Sequence, residues 1–277
     1  MTVKNYYISH FGELTPAKQF HFATRIKNWF QTNEFDEFLA AHEPNHNLGT
    51  ILENDDYSRV NFYEVRNPYF EKYQGLYALE ATLFRMLHLL LEYNVDLRED
   101  FLDLYGGKEK LYALCDNLRA DDRAFFALTT FAVNVLALTE ELFPRGIDVY
   151  AEMLEKTLAS EQSAMSIYLY THSMLCESLF YHKKELGHRD LYIRALESCD
   201  QIIENTFSDI TLDMKFEFLV CAEMVGYEAK SKEKIREEAA INKKDFIRDA
   251  RKPERLNTFD GSEHRNVLYI MSGLDVE

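Results

Sequence analysis

Gln162-Ser-Ala-Met-Ser-Ile-Tyr-Leu-Tyr-Thr-His-Ser-Met-Leu-Cys-Glu-Ser-Leu-Phe-Tyr-His182 decides how the chain is read. The stretch has the length of a long helix and is apolar on more than one face, yet it carries Tyr168, His172, Cys176 and Glu177. A helix apolar nearly all round belongs in a core. Working outward, similar stretches occur on both sides, each followed by a charged, amphipathic partner. Gly75 to Tyr93 precedes Leu97 to Arg119, which is broken at Gly106-Gly107, and Arg123 to Phe143 precedes Ile147 to Ala159. Met165 to Tyr181 precedes Asp190 to Phe207, and Leu212 to Val225 precedes Lys232 to Lys252. Glu263 to Met271 is a last short apolar helix.

The apolar centres recur roughly every 40 to 50 residues, the period of two-helix repeats. This predicts an all-α protein of helical-hairpin repeats in two layers, buried helices inside and amphipathic ones outside. The array can remain an α/α superhelix or close into an α/α toroid; an irregular helical bundle is the plainer alternative. Thr15-Pro16 predicts a helix start, with a capping hydroxyl and Pro at the first position. That helix should run to Phe30 and bury Phe20, Ile26, Trp29 and Phe30. A short helix from Glu34 to His42 follows, with Asn33 as its cap, and then an irregular part rich in breakers. Residues 1–72 thus read as an irregular N-terminal subdomain and 73–277 as the paired-helix body of a single unit.

Composition agrees. Ten Gly and five Pro in 277 residues are too few for a β-sandwich with many tight turns. A formal charge of −16 argues against generic nucleic-acid or anionic-membrane binding. The charge is uneven, since Glu228 to Arg255 holds 10 Lys+Arg against 7 Asp+Glu, which reads as a solvated helix face. Cys115, Cys176, Cys199 and Cys221 are far apart and lie among apolar residues, as free thiols of a reduced, cytoplasmic protein would. No signal-peptide core opens the sequence, and Phe125 to Leu138 is too short to span a membrane.

Two constellations carry chemistry. His42-Glu43-Pro44-Asn45-His46 fits H-E-x-x-H, in which two imidazoles bind zinc and the Glu acts as base, with Glu64 as a downstream ligand. Pro44 inside the motif works against the continuous helix this needs. The second lies on the apolar helices. Glu80, Phe84 and His88 share one face, as do Tyr168, His172 and Cys176; Asp213 and Glu217 share another with Cys221; and His264 opens the last helix. If those helices form an inner layer, Glu80, His88, Tyr168, His172, Cys176, Asp213, Glu217 and His264 line a pocket able to grip a polar ligand, shift one another's pKa, or hold a metal. The plain alternative makes each an individually satisfied core residue, with Arg85 or Arg265 pairing an acid.

Tyr168-Leu169-Tyr170-Thr171-His172 and Glu263-His264-Arg265-Asn266-Val267-Leu268 resemble segments of uncharacterised, all-helical bacterial proteins of α/α-repeat type. The resemblance covers mainly the part after Phe125 and implies a bacterial helical repeat, with no activity or catalytic residue to carry over. The expected function is therefore a binding or interaction module. An enzyme with a polar or metal site at His172, Glu217 and His264 is the alternative, and a zinc hydrolase at His42, Glu43 and His46 the next. The residues name no cofactor, no protein or small-molecule partner and no catalytic group, and they leave a homo-oligomer open.

Overall fold

The computed structural model describes residues 1–42, 46–55 and 67–275, and among them every element is helical apart from one isolated bridge. The chain begins with α1 (Val3–Ser9), α2 (Pro16–Phe30), α3 (Asp36–Ala41), α4 (Leu48–Leu52) and α5 (Pro68–Lys72). It continues through α6 (Leu76–Tyr93), α7 (Arg98–Tyr105), α8 (Lys108–Ala120), α9 (Asp122–Leu128), α10 (Thr130–Leu142) and α11 (Val149–Leu158). The last part holds α12 (Ala164–Glu177), α13 (Arg189–Asn205), α14 (Leu212–Val225), α15 (Lys232–Asn242) and α16 (Glu263–Met271). By contacts these form two compact units, Met1–His42 with Leu154–Glu277, and Glu43–Met153, with the boundary inside α11.

In the second unit α6 packs along α10, with α4 against α6 and α8 against both α9 and α10. Leu76, Leu79, Leu83 and Leu89 of α6 are fully buried, as are Val133, Val135, Ala137 and Leu138 of α10. Burying each such leucine or valine stabilises by about 1.5–3 kcal/mol before chain entropy is charged. The apolar stretch from Arg123 to Phe143, read as one helix, is two. Thr129 interrupts it with φ 46° and ψ −114°, and α9 and α10 meet at 105°. No single described helix is long and apolar enough to cross a membrane; this bent pair passes that test only when its halves are joined.

In the first unit α14 is central, packing against α12, α13, α15 and α16, while α16 also packs on α1 and α2. Its burial all round explains the apolar composition: Leu212, Phe216, Phe218, Val220 and Cys221 are all at 0 % exposure. Lys215 on the same helix is equally enclosed and is held by Glu238 at 2.6 Å, by the Phe207 carbonyl at 2.7 Å and by the Phe207 ring. The α2 boundaries agree with the sequence, but the Thr15 hydroxyl caps nothing; instead the Thr15 N–H donates to Asp260. Nor does Asn33 cap α3, which starts after Phe35. On α2 the buried face is Phe22, Ala23, Thr24, Arg25 and Ile26, with Phe20 and Trp29 half-buried and Phe30 exposed.

Two further elements end earlier than hydrophobicity suggests. α12 stops at Glu177, and Leu179, Phe180 and Tyr181 follow with φ of 50°, 52° and 79°. Three consecutive left-handed residues, none of them glycine, store strain that only the surrounding packing can hold. α15 stops at Asn242 rather than Lys252 because Ile247 is claimed elsewhere: its N–H donates to Asn266 Oδ1 at 2.7 Å and its carbonyl accepts from Asn266 Nδ2 at 3.1 Å. A buried side-chain amide thus replaces the helical partners of that backbone.

Candidate functional site

The first unit brings polar side chains from α2, α12, α14 and α16 into one region. α2 supplies Lys18, His21 and Arg25, which fall at i, i+3 and i+7 on one helix face. Glu263 and His264 open α16, and Glu263 is fully buried. Its carboxylate lies 2.8 Å from His21 Nδ1 and 3.3 Å from Lys18 Nζ. The His21 and His264 rings are 5.4 Å apart between centroids. Arg25, 6 % exposed, donates to the Phe180 carbonyl and lies over the Phe180 and Tyr181 rings at 5.0 and 5.3 Å. The strained left-handed turn after α12 therefore presents two aromatic faces and a carbonyl to one guanidinium, a cation–π arrangement strengthened by burial.

α12 and α14 supply the remaining groups. Thr171 donates its hydroxyl proton to Glu217, and His172 Nε2 stands 3.8 Å from the same carboxyl. Glu217 is 3 % exposed, and burial pushes its pKa up to about 7, against the pull of the Thr171 hydroxyl and Arg25. Burial, helped by Arg25, holds His172 down at about 4. The two partners are therefore not an ion pair near neutrality: the imidazole is uncharged and the carboxyl half-protonated. Tyr168 is edge-on to His172, and its phenol is driven up by burial and by Glu217 and Asp213. Asp213 accepts from Arg265 Nε at 3.2 Å and lies 3.7 Å from Lys252.

His264 combines two properties that are rarely found together. The residue is exposed to water, yet desolvation, helped by His21, Lys18, Arg25 and His172, depresses its pKa well below the usual imidazole value. His172 and Tyr168 are likewise only half-buried although strongly desolvated.

Of the pocket residues expected from sequence, Tyr168, His172, Asp213, Glu217 and His264 thus gather in the first unit. Cys176 is in the same helix as His172 and fully buried. Glu80 and His88 belong to the second unit, where Glu80 accepts from Asn134 Nδ2 at 2.8 Å and is raised by burial, and His88 packs on Phe84 at 4.6 Å. Arg265 pairs an acid, as the plain alternative has it. Sequence reading missed Lys18, His21, Arg25 and Glu263; the signal available was the spacing of three cationic or imidazole residues on a helix judged only by its apolar residues. In the H-E-x-x-H motif, Glu43 lies outside the described residues, as does Glu64, while His42 stacks on Phe20 at 4.9 Å. No group of three or more His, Cys, Asp or Glu among the described residues is arranged to hold a metal ion.

Two other hollows are less chemical. A groove of about 1070 Å³ in the second unit is lined by Lys72, Tyr73, Asn117 and Asp121, but Lys72 and the Tyr73 hydroxyl are already bonded to Asp121. A groove of about 440 Å³ in the first unit is lined by Trp29, Phe30, Tyr181 and Met224, with Lys184 lying over the Trp29 ring. No family model matches the chain, and neither a curated protein nor a solved structure matches it significantly.

Proposed function

We propose that the protein is a small-molecule binding module whose ligand occupies the concavity lined by His21, Tyr168, His172, Glu217 and His264. The observation that carries this reading is His264 itself, exposed to water yet desolvated and placed beside polar groups of α2 and α12. Binding sites favour concave surfaces with a few convergent polar groups on rigid elements. The finer architecture is part of the proposal. The adjacency of α12 with α13, of α13 with α14 and of α14 with α15 supports a repeat of helical hairpins in two layers, an α/α superhelix or toroid. Four free, buried cysteines support a cytoplasmic protein.

The test is a thermal-shift screen of the purified protein against small molecules of varied charge. At least one compound should raise Tm by several degrees, and the shift should vanish in His264→Ala while that variant keeps a cooperative melt. A flat screen, or a shift that survives His264→Ala, sinks the reading.

Glu217 favours a second reading, an enzyme using acid–base catalysis. A carboxyl poised at about 7 beside an uncharged imidazole at 3.8 Å can both give and take a proton at neutral pH. Turnover of any compound found in the screen, abolished by Glu217→Gln with binding retained, would move this reading ahead of the first.

A further inference from the structure

The strained turn that follows α12 also borders a cavity. Its last left-handed residue, Tyr181, lines the groove of about 440 Å³ in the first unit, a volume suited to a small organic molecule. Five segments of chain meet there: the ends of α2, α14 and α16, the start of α15, and the turn after α12. The body of the groove is aromatic and thioether. Trp29 and Tyr181 meet edge-on at 5.5 Å, and Met224 and Met271 add sulfur. Phe30, 44 % exposed, is the one aromatic residue among the large apolar side chains that stand exposed in the described residues. Rings and thioethers are the surfaces that take up a planar aromatic body.

The rim is basic on a chain with 47 Asp+Glu against 31 Lys+Arg, for Lys183, Lys184 and Lys232 stand there against a single acid, Glu223. Lys184 is engaged already: its Nζ donates to the Trp29 carbonyl at 2.9 Å and lies over the indole ring. Lys232 is different. It is half-buried, makes no ion pair among the described residues, and is the first residue of α15. No side chain caps that helix, because its N-cap, Ser231, gives its hydroxyl proton to Asp200. A lysine without an acid and an uncapped helix start favour an anion at the same place.

We infer that this groove is a second ligand site and that it takes an aromatic carboxylate, its ring among Phe30, Trp29 and the two methionines and its acid group at Lys232. The site is separate from the concavity at His264 and stands or falls without it. Its walls are set in advance. Trp29 is held by Tyr181 and Lys184, and Arg25 lies over the Tyr181 ring at 5.3 Å, so little side-chain freedom is lost on binding. Backbone strain such as that at Tyr181 gathers at ligand clamps. Charge separates the apolar occupants: a neutral ring leaves Lys232 without a partner, and a cation meets three lysines.

Trp29 is the single tryptophan, so its indole N–H resonance is identified at sight and reports on the groove directly. The full chain is titrated with naphthoate, with the neutral naphthalenemethanol, with the cationic naphthylmethylamine and with the non-aromatic cyclohexanecarboxylate. Naphthoate should move the resonance saturably, and the other three should bind about tenfold more weakly or worse. Lys232→Gln should weaken naphthoate several-fold and leave the alcohol unchanged. Phe30→Ala, a change at an exposed position, should weaken both, and Lys108→Gln on α8 neither. The inference is overturned if no compound moves the resonance, if the alcohol binds as tightly as naphthoate, or if Lys232→Gln leaves naphthoate binding intact. It is overturned as well if the resonance moves with protein concentration alone, which would make a second copy of the chain the occupant.

Discussion

Glu217 and His172 stand 3.8 Å apart and pull folding stability in opposite directions with pH. The Glu217 carboxyl, ordinarily near 4.5, is raised to about 7 in the folded protein, so the folded state holds its proton more tightly. That contribution is fully present below 4.5 and is lost as pH rises through 7. His172, ordinarily near 6.5, is lowered to about 4, so the unfolded chain takes the proton first; stability from this group is present above 6.5 and is lost as pH falls through 4. His264 has the sign of His172. Between about pH 4.5 and 6.5 the carboxyl and the imidazoles therefore oppose each other, and wild-type stability should change little there through these groups. Glu217→Gln removes only the opposing carboxyl. Urea unfolding of both proteins at pH 5.5 and pH 8 should show the variant gaining on wild type by about 2 kcal/mol over that range. A difference between the two proteins that does not move with pH would mean that Glu217 is not desolvated in this way.

At the scale of elements, hydrophobic period found what burial alone decides and missed what tertiary partners decide. α14 and α16 have the residue limits expected, because each is enclosed and no neighbour competes for its backbone. The Gly106-Gly107 break between α7 and α8 was equally plain, both glycines having positive φ. The break at Thr129 was not legible, because a β-branched residue is among the last expected at φ 46° and ψ −114°. Leu179-Phe180-Tyr181 likewise carries no glycine or asparagine to announce a left-handed turn; its conformation is held through Arg25, on a helix far away in sequence. The site divided in the same way. His172, Glu217 and His264 were visible as polar intruders on apolar helices, whereas Arg25 looked like an ordinary helix charge. Strain at Thr129 gives a direct test. A glycine accepts that backbone geometry freely, so relief of roughly 1–3 kcal/mol offsets the lost side chain and the freer unfolded chain. Thr129→Gly should leave the melt unchanged or raise it, while Ala132→Gly, inside regular and buried α10, should lower stability by at least about 1 kcal/mol. Equal damage from the two would show that Thr129 stores no strain.

At the scale of the whole chain, the decisive fact is that the first unit is discontinuous, made from residues 1–42 and 154–277. The candidate site draws on both pieces: Lys18, His21 and Arg25 come from the first, and His172, Glu217 and His264 from the second. It can exist only when the two are docked. The docking contacts are specific. The Val3 and Lys4 N–H groups at the start of α1 donate to Asp275 at 2.8 and 2.7 Å, an acid placed at a helix N-terminus by the far end of the sequence. Tyr7, at 0 % exposure, stacks on Phe22 at 5.5 Å, packs on Phe259 at 4.6 Å and donates its hydroxyl to the Phe259 carbonyl at 2.9 Å. Trp29 reports on the same assembly, because it is the chain's single tryptophan and its ring meets Tyr181, from the second piece, edge-on at 5.5 Å. Tyr7→Ala deletes a buried ring and leaves the Phe259 carbonyl without its donor, a loss of about 3–5 kcal/mol. Urea unfolding followed by Trp29 emission should therefore shift to lower denaturant in this variant. The depressed pKa of His264, to which His21, Lys18 and Arg25 of α2 contribute, should be lost along the same curve, the ring returning to an ordinary imidazole titration as Trp29 becomes exposed. If His264 titrates normally while Trp29 still emits as in the native protein, the concavity is not formed by the docking of the two pieces, and its assignment as one site across α2, α12, α14 and α16 is wrong.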